Sequence, residues 1–503
     1  MGVKYEDYTH VYSRHVWYFA KVTIMCTCKV CLGVRRVVDN IFEIFKIHGW
    51  ILDAYIIDFY QDDLWSKLPS SWRNFFKTIS IQELGSWMLD ELQSKKVWPL
   101  SLIALKQSIK LLTIDRNPIS DAETKFVCSG AQWNYRKLEN SDFKIPKNDL
   151  ACRHKNLFTK HIKIKKRYEI DKFSEICAKC CYLANCKCIV DTGAGMGHLA
   201  RQLSYKYNLS VICVEQTKEL SDLAKKYDAE YLVTIKKHLP DFDSRSSYHL
   251  CAKLCQEDSS NESLIGNINE IFESTFGRKS IEEGFGFIGL HPCGDLAVTL
   301  LKLYVKQPNV KFITIVGCCY MKLTTSGERN SLGYPLSNYL RSKSNNYLSY
   351  AALEVACHAV ENYCDKMKTG DYNNLKVHAY RGMLEMLLIK KAGLIMRHGR
   401  VNSVKVNEHM TFQRYCELAT AKFDDDKKIL ESDYNWEEVR KHLDRWQEVV
   451  AFEALRMMLA PLVETAVLLD RFLFLSEHHL KPLLKAEFDP RRSPRNFVLV
   501  SIK

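Results

Sequence analysis

Cys188-Ile-Val-Asp-Thr-Gly-Ala-Gly-Met-Gly197 is the stretch that decides the fold of this 503-residue chain. Cys188–Asp191 is a short apolar run ending in an acid, the pattern of a buried strand, and Gly197–Tyr207 has the spacing of a helix. Glycines between them let the turn adopt backbone angles that other residues resist, and let a ligand come close. A dinucleotide fingerprint needs G-x-G-x-x-G, but its last glycine would fall at His198. The glycines here are Gly193, Gly195 and Gly197, a G-x-G-x-G pattern. Ser210–Glu215 reads as the second strand. Its terminal Glu215 is an ionised two-oxygen acceptor suited to a ribose diol. Asp191 ends the first strand, placed to hold the turn or to reach the amino acid end of a ligand.

Outward from this turn the pattern alternates. Helix Lys218–Tyr227, strand Gly286–Leu290, helix Asp295–Val305 and strand Phe312–Val316 follow, which predicts a parallel, doubly wound sheet. Residues 241–280 are rich in Ser, Asp, Asn and Glu and read as a long surface loop. Lys485–Phe488 and Phe497–Ile502 are strand-like runs that would close the sheet as a terminal hairpin. The expected fold is α/β, a Rossmann-like class I methyltransferase sheet. A helical region precedes it, and a helical insertion comes before the C-terminal hairpin. The expected divisions are an atypical extension at 1–40, a helical region at 41–150, the core at 151–320, the insertion at 321–480 and the hairpin at 481–503. Cofactor-binding residues are expected at Asp191, Gly193, Gly195, Gly197 and Glu215, with S-adenosyl-L-methionine as the ligand.

Ligand sites in open parallel sheets lie at the carboxyl ends of the strands. Gly289-Leu-His-Pro-Cys-Gly-Asp-Leu296 and Val316-Gly-Cys-Cys-Tyr320 both fall at that edge. His291, Cys293, Asp295 and Tyr320 are therefore the candidate catalytic residues. The thiols here could suit zinc, but adjacent cysteines seldom both ligate one ion, so small side chains packed around a cofactor are expected and no metal. The basic stretch His161-Ile-Lys-Ile-Lys-Lys-Arg167 makes Lys165 and Lys166 candidate substrate-binding residues for RNA phosphate, or for a cofactor carboxylate. His358 is expected to be a packed histidine.

Composition sets limits. Apolar residues make up 47% and charged residues 26%, as in ordinary folded proteins, and the net charge of +13 favours an anionic partner such as RNA. Nineteen cysteines, an odd number with adjacent pairs, fit reduced thiols in the cytoplasm or nucleus. Cys26, Cys28 and Cys31 resemble half a metal site with no second half at matching spacing, so they are expected to be unpaired. Residues 449–475 are apolar enough to suggest a membrane span. However, Glu453, Arg456, Glu464, Asp470 and Arg471 share one stripe, predicting a buried helix with one wet edge, bent at Pro461.

Several longer motifs resemble those of the eukaryotic methyltransferase-like 25 family. They are K-K-x-x-E (Lys165, Lys166, Glu169), D-x-G-x-G-x-G-H-L, G-L-H-x-C-G-D-L and V-G-C-C-Y-M-K-L. The B branch, also called ribosomal RNA adenine dimethylase domain-containing protein, is the more similar. It shares D-L-W at Asp63–Trp65, W-P-L-S-L at Trp98–Leu102, Y-P-L-S at Tyr334–Ser337, A-C-H-A at Ala356–Ala359, L-A-P-L-V-E-T at Leu459–Thr465 and S-P-R-N at Ser493–Asn496. The resemblance runs from about residue 50 to the C-terminus and implies a methyltransferase, with RNA the expected substrate. Adenine dimethylases place N-[LIP]-P-[YF] after strand four. His291-Pro-Cys-Gly-Asp295 stands there instead, which speaks against adenine N6 as acceptor. The H-x-C-G…C-C pattern is closer to that of tRNA ribose 2′-O-methyltransferases, with Tyr320 where their histidine would follow. The alternatives are a silent cofactor- or RNA-binding protein of the same fold and a protein methyltransferase.

Overall fold

The computed structural model describes residues 26–91, 96–118, 126–128, 138, 160–238, 247–254, 258–325, 333–370 and 372–503. Its centre is an eight-stranded sheet of order β1-β7-β8-β6-β5-β2-β3-β4. The strands are β1 (Phe126–Val127), β2 (Cys188–Thr192), β3 (Ser210–Glu215), β4 (Tyr248–Cys251), β5 (Phe285–Cys293), β6 (Val310–Cys318), β7 (Leu483–Ala486) and β8 (Phe497–Ile502). Strands β2 to β6 are mutually parallel, and β8 lies antiparallel between β6 and β7. Seven strands thus have the Rossmann-like methyltransferase arrangement expected from the sequence, and β1 adds a short eighth strand at the β7 edge. The central strands are buried along their length, which is why they read as continuous apolar runs rather than alternating ones.

One expectation fails here for a physical reason. Residues 241–280 are not one loop: they contain β4 and the helix Asp258–Phe276. The Ser- and Asn-rich composition hides a helical stripe, Leu264, Ile265, Ile268, Ile271 and Phe272, all buried. Positions 239–246 and 255–257 lie outside the described residues. The helix Lys29–Asp53 begins within the 1–40 segment, of which 1–25 lie outside the described residues. Cys26, Cys28 and Cys31 sit at its start, and Cys128, just after β1, lies 3.8–3.9 Å from each of their sulfurs.

The helix Trp446–Glu477 is 32 residues long and contains Pro461. Its charged stripe is not a wet edge. Glu453, Arg456, Glu464, Asp470 and Arg471 are all buried. Glu453 pairs with Arg456 at 2.7 Å, and Glu464 meets Arg116 and accepts from the Tyr320 hydroxyl at 3.0 Å. Asp470 accepts from the backbone N–H groups of Leu336 and Ser337, at 2.6 and 2.8 Å. Glu477 does the same for Asn338 and Tyr339 at 2.8 and 2.9 Å. Glu464, Asp470 and Glu477 thus meet groups from other parts of the chain, a pairing that helical periodicity cannot reveal, whereas Glu453 and Arg456 pair within the helix. No helix among the described residues is long and apolar enough to cross a membrane.

Burial pushes the Asp470 carboxyl up to about 6 against the two hydrogen bonds it accepts. Truncation to alanine would leave those backbone donors unpaired in the interior, at about 1–3 kcal/mol each. Asp470→Ala is expected to lower unfolding stability by about 2–5 kcal/mol in urea titrations. Asp425→Ala removes an exposed pair with Lys428 and should change it by less than about 1 kcal/mol.

Candidate active site

The glycine turn leaves β2 with all three glycines at positive φ: +67° at Gly193, +56° at Gly195 and +68° at Gly197. Among the described residues, no heavy atom lies within 4 Å of where a Gly195 Cβ would stand, so the turn is open on that side. At Gly197 a Cβ would press on the His249 ring, 2.8 Å away, so that glycine serves packing. Glu215 at the end of β3 takes the Gly195 N–H on one oxygen and the Thr217 N–H on the other, both at 2.9 Å. A carboxylate has about four acceptor positions, so each oxygen retains one.

Asp191 is buried, and its Oδ2 has no hydrogen-bond partner among the described residues. Burial pushes its carboxyl up to about 7; the Lys166 ammonium opposes the rise, and Glu215 adds to it. Lys166 comes from the helix Ile164–Leu183 and is half-buried, its ammonium disfavoured by desolvation. Lys165 is exposed, with its ammonium 4.0 Å from Glu169. The two candidate lysines therefore point to different environments. Glu169 is buried and accepts from Ser493 Oγ at 2.7 Å. Burial works against its ionisation, yet the bonds from His291 (3.2 Å) and Ser493 hold its carboxyl down to about 2.

The end of β5 explains why H-P-C-G-D has its composition. The β5–β6 register shifts between Leu290 and Cys293, and His291 takes φ +71°. Such a bulge re-aims the side chains that follow it. Cys293 consequently faces Cys318 and Cys319, with Sγ–Sγ distances of 3.2 and 3.3 Å. Gly294 is obligatory, since a Cβ there would collide with the Lys322 carbonyl. Hydrogen bonding from Cys318, against the cost of burial, brings the Cys293 thiol down to about 5, and Cys319, Lys322 and His291 contribute. The depressed thiol has no counterpart in the sequence, because it depends on two cysteines brought in by the next strand. The three sulfurs could also hold a metal ion.

Asp295 begins the helix that follows β5 and accepts the Thr324 N–H at 3.0 Å, bracing the loop after β6. Tyr320 is not brought to the open site. It is buried beneath it, with its hydroxyl bonded to Glu464 and its ring near Arg471. His358 is exposed rather than packed, and meets Glu354 at 2.8 Å. Glu169 and Ser493 join the site from K-K-x-x-E and S-P-R-N, motifs whose local pattern gives no sign of the contact between them. Helical periodicity places Arg471 only in a charged stripe. It lies so close behind Gly317 that a Cβ there would strike its guanidinium.

The sheet order and this strand-end site define a methyltransferase domain, and the methyltransferase domain family matches residues 165–326. The chain is similar to "Probable methyltransferase-like protein 25" of Mus musculus, 27% identical over 227 residues. That match covers 43% of this chain and 37% of the relative. The Homo sapiens protein of the same name is 28% identical over 226 residues, covering 43% and 36%. The matched region thus spans little more than a third of these relatives' length. Domain and relatives together support the methyltransferase-like 25 family.

Two measurements check the electrostatics. An unfolded Asp ionises near 3.8 and Asp191 in the fold near 7, so the folded chain holds the extra proton between these values. This group's contribution to stability is therefore full below pH 4 and is lost as pH rises to 7. Asp191→Asn should make the ligand-free protein more stable at pH 8, by up to about 4 kcal/mol, and leave it little changed at pH 4. Thermal melts at the two pH values read the difference. Alkylation by iodoacetamide, followed by peptide mass spectrometry, should modify Cys293 first among the described cysteines. Its rate should fall as pH drops through about 5, and Cys318→Ala should slow it at pH 6.

Proposed function

We propose that this protein is an S-adenosyl-L-methionine-dependent methyltransferase acting on RNA. The observation that carries the cofactor reading is the buried Asp191 Oδ2, without a hydrogen-bond partner among the described residues, beside a glycine turn open at Gly195. A buried carboxylate oxygen without a donor is costly in an isolated fold and useful where a cationic or N–H-bearing ligand supplies the donor. Asp191 and the half-buried Lys166 would face the amino and carboxylate ends of the cofactor's amino acid. Glu215 would take the ribose hydroxyls on its remaining acceptor positions, while Gly193 and Gly195 allow close approach.

The cofactor, when bound, supplies a methyl group already activated on a sulfonium. The chain's part is then positioning and proton handling. Holding acceptor and methyl in line is worth roughly 7–11 kcal/mol of barrier. His291 is the better-placed base for a hydroxyl acceptor. Ionised Glu169 takes its Nε2–H and orients the ring, which leaves Nδ1 to receive a proton. Asp295 already spends one oxygen on Thr324 and serves the loop. Lys165 is exposed and fits contact with RNA phosphate, and the net charge of +13 supports an anionic substrate. The H-P-C-G-D sequence at the end of β5 favours a ribose hydroxyl over adenine N6. The motifs shared with the B branch of the family favour that branch.

Calorimetry with S-adenosyl-L-methionine should give one site per chain. Glu215→Ala and Asp191→Asn should each weaken it at least tenfold, or about 1.4 kcal/mol. A folded sample that binds no cofactor at high micromolar concentration would overturn the enzyme reading. Label transferred from methyl-tritiated cofactor in a cell extract should be sensitive to ribonuclease, and protease-sensitive label would instead favour a protein acceptor. Lys165→Ala should reduce RNA crosslinks, whereas Lys166→Ala should mainly lower cofactor affinity.

A further inference from the structure

Away from the glycine turn, four cysteines converge at the junction between the N-terminal helix and the sheet edge. Cys26, Cys28 and Cys31 form a C-x-C-x-x-C run, and Cys128 joins them from about a hundred residues further along the chain. Cys128 Sγ lies 3.8 Å from Cys26 Sγ and 3.9 Å from those of Cys28 and Cys31. All four sulfurs lie within 4.8 Å of one another. Zinc–thiolate bonds are about 2.3 Å long, so a tetrahedral four-thiolate site has sulfur–sulfur edges of about 3.8 Å. A disulfide would require about 2.05 Å. From these distances we infer that Cys26, Cys28, Cys31 and Cys128 form a zinc site.

Local chemistry agrees. Cys28 is the N-cap of the helix Lys29–Asp53, and its sulfur accepts the Cys31 N–H at 3.4 Å. The Arg35 guanidinium donates to the Cys26 carbonyl at 3.0 Å, fixing the turn that presents Cys26. Four thiolates leave zinc no open position, which makes the site structural rather than catalytic. The metal would join the first helix to the segment after β1, whose Cys128 N–H bonds to the Pro482 carbonyl at 3.2 Å, just before β7. It would therefore clamp the helical layer to the edge of the methyltransferase sheet.

The test is metal analysis of the full chain, purified without chelator. Wild-type protein should carry at least one zinc per chain, and Cys128→Ser one fewer than wild type. Because Cys128→Ser also alters a buried position, cobalt(II) exchange into wild-type protein provides a second measurement. It should give tetrahedral ligand-field bands in the visible and sulfur-to-cobalt charge transfer in the near ultraviolet. Cys293→Ser, at the other thiol cluster, should keep the zinc that Cys128→Ser loses. Zinc-free wild-type protein, zinc content unchanged by Cys128→Ser, iron with inorganic sulfide in place of zinc, or these four cysteines recovered as two disulfides would each overturn the inference.

Discussion

The buried charges of the helix Trp446–Glu477 hold the two halves of this protein in register. Ionised groups in an interior are unfavourable unless they meet partners, and for Glu464, Asp470 and Glu477 these come from far along the chain. Glu464 draws in Arg116 from the N-terminal region and Tyr320 from the end of β6. Asp470 and Glu477 collect four backbone N–H groups from Leu336 to Tyr339. Apolar packing alone would let this helix slide or rotate with little penalty, whereas the charges admit one arrangement. They also fix the loops beneath the strand ends, so the position of the site depends on a helix that does not contribute to its open face.

Above that support the site is built from strand ends. The register shift at the end of β5 turns Cys293 toward Cys318 and Cys319 and places His291 against Glu169. Glu169 is held in turn by Ser493, which lies between β7 and β8. The C-terminal strands therefore do more than complete the sheet, because the loop between them orients the imidazole through a carboxylate. Asp191 stands apart as a buried acid with one oxygen that has no partner among the described residues. The fold tolerates that disadvantage at the place where a ligand would remove it.

Cysteine use divides along the same lines. Cys177, Cys180, Cys181 and Cys213 are buried apolar fillers whose thiols are held up by burial. The thiols of the two clusters face one another instead. A count of nineteen cysteines cannot separate these roles, because the difference lies in which sulfurs meet.

Local pattern was enough to place β2, β3, β5, β6 and the C-terminal pair, since buried parallel strands, glycine turns and an acid at a strand end are short-range signals. The G-x-G-x-G spacing and Glu215 marked the open glycine turn at the strand ends for the same reason. The helix at Asp258–Phe276 was masked by its polar composition, although its apolar stripe was present. What the chain could not reveal is everything that depends on distant residues meeting. The wet edge assigned to the long helix is interior, because Glu464 and Asp470 find partners well over a hundred residues away in sequence. Tyr320 turns away from the site, because Glu464 takes its hydroxyl. Cys128 joins Cys26, Cys28 and Cys31 only after β1 pairs with β7. Sequence alone determined the sheet and its glycine turn, because those rest on neighbours in the chain. Tertiary structure alone decided the charge pairs, the depressed thiol and the four-sulfur cluster, because electrostatics and ligation depend on distance in space.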